Sequence, residues 1–229
     1  MNRLSKILPA AAVFASAAAV PATAQQGESF PVEGNIGVTS NYVFRGVSQT
    51  GDDPAVQGGL DYAHDSGLYV GTWTSNVNFA GGTELDVYGG YSGSAEEFGY
   101  DLGVIGYLYP EADGDANFAE VYLGLSYDML SAGVAYTFTS EIDNGAFSDG
   151  DIYVYGSGGF DLADDFSVGL TVGYYAFDSA SGSDYVHGQL DLTKSTADYG
   201  DFTFSVSLAD ESDLATDDPL FFVSWGTGF

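Results

Sequence analysis

The feature that most constrains this chain is a two-residue alternation of apolar with small or polar side chains, repeated along most of its length. In FSVGLTVGYYAF, Phe166, Val168, Leu170, Val172 and Tyr174 fall on one face, with Ser167, Gly169, Thr171 and Gly173 on the other. LSAGVAYTF repeats the pattern through Leu130, Ala132, Val134, Tyr136 and Phe138. FTFSVSL sets Phe202, Phe204, Val206 and Leu208 against Thr203, Ser205 and Ser207. Successive side chains of an extended chain point to opposite faces, so a period of two predicts strands. No long stretch carries the periodicity of an amphipathic helix.

Counting such segments predicts about twelve strands, near 35–47, 55–64, 68–78, 83–92, 98–109, 118–127, 130–140, 151–160, 165–177, 184–193, 201–209 and 219–229, with ten as the alternative. The connections alternate in length. SQTGDDP, PEADGDAN, EIDNGAFSDG and ADESDLATDDP follow odd strands, and HDSG, YDM and DLADD follow even ones. TKSTADYGD is the exception, a long connection on the short side. An even number of strands with long loops at one end and short turns at the other describes an all-β, single antiparallel up-and-down transmembrane β-barrel, here residues 25–229. A soluble β-sandwich also has short alternating strands. The face opposite the apolar one, made of Gly, Ser, Thr, Asn and acids, suits a wet lumen and favours the barrel.

Composition excludes several other fates. The chain holds 33 acidic and four basic residues, a charge that leaves many sequences unfolded, but 45% hydrophobic and 15% aromatic residues argue for a folded one. With no cysteine, stability must come from packing, backbone pairing or a membrane. The opening MNRLSKILPAAAVFASAAAVPATA has a basic start, an apolar run and a small-residue site, which predicts a signal peptide over 1–24 cleaved after Ala24. The remaining chain then carries 33 acids and two bases, Arg45 and Lys194, a formal charge of −31. So acidic a protein has no nucleic acid among its expected partners.

The last strand, PLFFVSWGTGF, places Phe221, Val223, Trp225, Thr227 and Phe229 on one face and ends on an aromatic residue. This is the form of a terminal assembly signal read by the outer-membrane insertion machinery through edge pairing. Residues 35 to 79, with NYVFRGVSQT, PAVQGGLDYAH and SGLYVGTWTSNV, resemble the start of the TorF-type porin family, exported proteobacterial outer-membrane proteins. The resemblance implies an outer-membrane channel and carries no solute with it.

Alternation along the first strand sets Ile36, Val38, Tyr42 and Phe44 toward lipid and Asn35, Thr39, Asn41 and Arg45 toward the lumen. A lipid-facing arginine would cost about 2–4 kcal/mol at mid-bilayer, which agrees with that parity. The same argument assigns Gln57, Asp61, Thr74, Asn76, Asn78, Glu84, Asp86, Asp101 and Glu120 to the lumen. Among these carboxylates Arg45 is either a forked cross-strand clamp or a point of solute contact at a constriction. Tyr42, Phe44, Tyr69, Trp73, Tyr174 and Trp225 are candidates for the interfacial aromatic girdles, and Tyr88 and Tyr122 for narrowing the pore.

Acidic walls raise the local concentration of cations. The sequence therefore reads as an outer-membrane porin for small polar solutes with a preference for cations, in contact with outer-membrane lipid and lipopolysaccharide. The alternative is a closed structural or adhesive barrel whose acidic loops bind divalent cations or an external partner. No metal site, cofactor or catalytic residue is predicted. EADGDANFAE lacks the glycine and glutamate spacing of an EF-hand loop. GxSxG is absent, and the only histidines are His64, in the HDSG turn, and His187, which faces inward in DYVHGQLD.

Overall fold

The structure, a computed structural model, describes residues 32–180 and 183–229. The expected leader over 1–24 and its cleavage point after Ala24 lie outside the described residues. The strands in chain order are β1 (Val32–Thr39), β2 (Val43–Phe44), β3 (Val47–Ser48), β4 (Ala55–Ala63), β5 (Leu68–Asn76), β6 (Thr83–Ala95) and β7 (Phe98–Leu108). They continue with β8 (Phe118–Tyr127), β9 (Leu130–Ser140), β10 (Ile152–Asp161), β11 (Phe166–Ala176), β12 (Tyr185–Thr196), β13 (Gly200–Ala209) and β14 (Leu220–Gly228). All but β2 and β3 form one closed antiparallel barrel of twelve strands. Closure is made by β1, where Val38 faces Val56 of β4 on one side and Trp225 of β14 on the other. A closed sheet leaves no edge for a second chain to extend.

The two ends differ as the connection lengths predict. Short turns such as Glu96–Glu97 and Asp128–Met129 gather at one end, with the C-terminal residue. The longer loops, among them 109–117, 141–151 and 210–219, gather at the other. TKSTADYGD is not an exception. Lys194, Ser195 and Thr196 remain paired with Phe202, Asp201 and Gly200, and the Thr196 hydroxyl donates to the Gly200 carbonyl at 2.7 Å, so the turn is only 197–199.

The first strand departs from its expected course. β1 stops at Thr39, whose hydroxyl donates to the Asn41 carbonyl at 2.8 Å, and the chain turns into the barrel. Tyr42, Val43 and Phe44 are all buried, which no two-faced strand permits for three successive residues. They belong instead to the β2–β3 hairpin, with Phe44 opposite Val47 and only Arg45 and Gly46 between. Both turn residues have positive φ, +47° and +90°, as a two-residue type I′ turn requires. Tyr42 and Phe44, expected toward lipid, therefore pack inside, against Trp73 and Tyr107 at ring distances of 5.4 and 5.8 Å.

Candidate functional site

The hairpin divides the barrel interior. Its tip carries Arg45, buried with 7% of its surface exposed, and the guanidinium forks onto Glu120 of β8 with contacts of 2.8 and 2.7 Å. Two parallel N–H···O bonds use the planar geometry that matches a carboxylate. Glu120 also accepts hydroxyl bonds from Tyr107 and Tyr175 at 3.1 and 3.2 Å. The cation is boxed by rings, with its central carbon 4.2 Å from the centre of Tyr153, 4.7 Å from Phe44 and 5.0 Å from Tyr175. Together these side chains form a partition across the interior.

More carboxylates surround that pair. On β6, Glu84 and Asp86 are separated by one residue and share the inner face, and both are buried. Glu84 accepts the Tyr42 and Tyr109 hydroxyls, both at 2.9 Å. Below them Asp101 accepts the Tyr69 hydroxyl at 2.6 Å, and Tyr69 in turn contacts the Tyr122 hydroxyl. Asp61 accepts the Tyr88 hydroxyl at 2.5 Å. Tyrosine is well suited here, since its ring fills the lumen while its hydroxyl satisfies a buried acid. His187 lies against the same partition, its Nε2 2.9 Å from the Tyr153 hydroxyl.

Toward the turn end the interior opens into a cavity of about 680 Å³. It runs from Arg45, Tyr153 and His187 down to Asp161, between the small inner residues of β10 to β14 and of β1. Asp191 and Asp201 line it, and Arg45 at its head is the one arginine or lysine among its described walls. Asp191 accepts the Ser205 hydroxyl at 2.6 Å and the Gln189 amide at 3.0 Å.

Of the residues expected in the lumen, Gln57, Asp61, Glu84, Asp86, Asp101 and Glu120 project from the inner face of the wall. Asn41 and Arg45 are interior through the hairpin rather than through β1, and Asn41 binds Asp52 and Ser48. Asn76 is a correction. It shares the outer face of β5 with Val70 and Thr74, and its amide caps the rim by bonding the Val56 N–H and the Pro54 carbonyl. Thr74 likewise faces outward, because Trp73 and Ser75 occupy the inner positions. Of the proposed girdle residues, Tyr42, Phe44, Tyr69 and Trp73 point inward, while Tyr174 remains exposed on the outer face. The Trp225 indole, on the outer face of β14, donates to the Tyr199 carbonyl at 2.6 Å. Phe221, Val223 and Phe229 share that outer face and are 64%, 55% and 77% exposed.

Tyr153, Tyr175, Asp191 and Asp201 were not singled out as interior-wall residues from sequence, although the alternation of β10 to β13 carries that information for each, whereas His187 faces inward as its position in DYVHGQLD predicts. Among the described residues no group of three or more His, Asp or Glu side chains is set to hold a metal ion. His64 sits in a turn, with its Nδ1 2.9 Å from the Ser66 hydroxyl.

Comparison with known proteins agrees with this architecture. A family model described as a bacterial protein of unknown function (Gcw_chp) matches residues 23–218, and the chain belongs to that family. No curated protein sequence matches it. Among solved structures the fold is similar to a KdgM porin, with a TM-score of 0.55 at 9% identity over 86% of this chain and 97% of that one. A KdgM porin in complex with disordered oligogalacturonate gives 0.55 at 10% identity over the same shares of the two chains. A NanC porin gives 0.51 at 13% identity, again over 86% and 97%.

Proposed function

We propose that this member of the Gcw_chp family is a porin-like barrel of the bacterial outer membrane, akin to the TorF-type proteins. It passes small polar solutes, cations in preference to anions, along a route whose narrowest section is the Arg45 hairpin. The observation that carries this reading is the acid-lined cavity of about 680 Å³ that ends at that hairpin. Asp161, Asp191 and Asp201 set a negative potential in a confined space, which gathers cations and repels anions. Such a wall disfavours a polyanion such as oligogalacturonate, named with the KdgM porin.

The outer surface supports a membrane setting. Val56, Leu60, Leu68, Val70, Leu102, Val104, Leu170 and Val172 are large, apolar and 50% or more exposed. So continuous an apolar face belongs against lipid rather than water. With the short turns periplasmic, the acidic loops reach the lipopolysaccharide side. The outward Phe221, Val223 and Phe229 stand where the insertion machinery would read the final strand.

A second reading is favoured by the partition itself, since the buried Arg45–Glu120 pair and its ring box suit a closed structural barrel. The two are separated by single-channel conductance and reversal potential in a planar bilayer under a potassium chloride gradient. A cation-selective reversal potential that weakens as salt is raised supports the channel. Silence from an inserted, heat-modifiable barrel, or an anion-selective current, rejects it.

A further inference from the structure

Beyond the partition, at the loop end, lies a second cavity, of about 320 Å³. Its character is opposite to that of the first. Phe44, Phe79, Tyr107, Tyr109, Phe118 and Phe147 contribute rings to its walls, and the charged side chains among its described walls are Glu84 and Asp115. Asp115 and Phe79 are exposed at its rim, so the space is reached from outside.

The loop is built to keep a ring there. Phe147 has a φ of +65°, a left-handed conformation that is strained for a bulky residue. Its ring lies 5.1 Å from that of Phe118, 5.7 Å from Tyr175 and 5.8 Å from Phe177. Such a backbone persists only where the surrounding packing enforces it.

We propose that this cavity is a binding site for a small organic cation, an ammonium group carried on a flat apolar ring. Aromatic faces are negative and attract a cation set over them, and the ring of the ligand finds apolar walls. Glu84 closes the inner side with both oxygens already held by Tyr42 and Tyr109, so it acts on the ammonium through its field. Asp115 adds negative charge at the mouth, and the chain's formal charge of −29 draws cations and repels anions over longer range. Binding here is independent of whether the barrel conducts.

The test is equilibrium dialysis of the refolded full-length protein in detergent micelles, with empty micelles as the blank, against benzylammonium, benzyl alcohol and benzoate. The three probes share a ring and differ in charge. Benzylammonium is expected to be retained saturably and about tenfold more tightly than benzyl alcohol, with benzoate weakest. Phe147→Ala lowers benzylammonium affinity by about tenfold, and Phe79→Ala at the rim lowers it less. Heat-modifiability shows that each variant is still a barrel. Equal retention of the three probes, preference for benzoate, or no saturable benzylammonium binding overturns the proposal. Unchanged affinity in both folded ring variants places any binding elsewhere and overturns it equally.

Discussion

The two halves of this barrel interior are built on the same strands in opposite ways. Near the loop end the inward positions carry Tyr153 and Tyr155 on β10, Tyr175 on β11, and Tyr185 and His187 on β12. Farther along the same strands they carry Ser157, Gly159 and Asp161, then Thr171, Gly169 and Ser167, then Gln189, Asp191 and Thr193. Alternation decides which side chains face inward, and their volume decides whether space remains. The large set, joined by the β2–β3 hairpin, makes a packed partition. The small set leaves an acid-lined cavity.

If the loop half is packed and the turn half is not, equivalent substitutions must cost unequally. Glu120→Ala leaves the buried Arg45 guanidinium without its forked partner, and is expected to lower unfolding stability in micelles by about 3–5 kcal/mol. Asp201→Asn, on the cavity wall, is expected to change it by no more than about 0.5 kcal/mol. Similar losses in the two denaturant titrations would break the contrast.

Glycines offer a finer version of the same test. A Cβ on Gly173 would lie 2.5 Å from both the His187 Nε2 and the Tyr153 hydroxyl, whereas one on Gly159 meets nothing within 4 Å. Gly173→Ala should therefore destabilise by about 1–3 kcal/mol through overpacking. Gly159→Ala should stay within about 0.5 kcal/mol of the native protein. Thermal unfolding of the two variants, measured side by side, decides whether the packing boundary lies between them.

In the proposed channel, selectivity is set by the open half. The pair Asp191→Asn and Asp201→Asn should shift the reversal potential toward that of an unselective pore, with conductance otherwise retained. A reversal potential that does not move would assign cation preference to charges outside the cavity.

The smallest expected effect is a pH dependence in the 141–151 loop. Asp151 is fully buried, accepts the Asp178 N–H at 2.8 Å, and has its carboxyl pushed up by burial. A carboxyl raised in the folded state takes up its proton there before the unfolded chain does. Its ionisation therefore opposes folding above the raised value, and that opposition fades as pH falls toward about 3.9. Relative to Asp151→Asn, the native protein should gain stability on acidification through this window. Paired unfolding midpoints that show no such relative gain would contradict the assignment.

How much of this was legible in sequence differs between the wall and the hairpin. Gln57, Asp61, Glu84, Asp86, Asp101 and Glu120 lie on strands whose alternation is unbroken, and simple parity suffices to place them. Parity misplaced Asn76 because polar Thr74 and Asn76 look lumenal beside Trp73, which reads as a girdle residue. Trp73 turns inward to pack on Tyr42, a contact between segments that no local pattern contains. The hairpin left a local trace in the three successive apolar residues Tyr42, Val43 and Phe44 followed by Arg45-Gly46. Its turn lacks the Asn-Gly or Asp-Gly sequence usually found in a type I′ turn. What holds it is distant, since the partner of Arg45 lies on β8.

The claim that the hairpin is the narrowest part of the route is tested most directly by replacing Tyr42–Gln49 with a Gly-Ser tether and comparing single-channel conductance with the native barrel. Both proteins are first shown to be inserted and heat-modifiable. The account predicts larger current steps from the tethered variant, with cation selectivity retained because Asp191 and Asp201 are untouched. Equal conductance in the two proteins would contradict it and place the restriction elsewhere in the lumen.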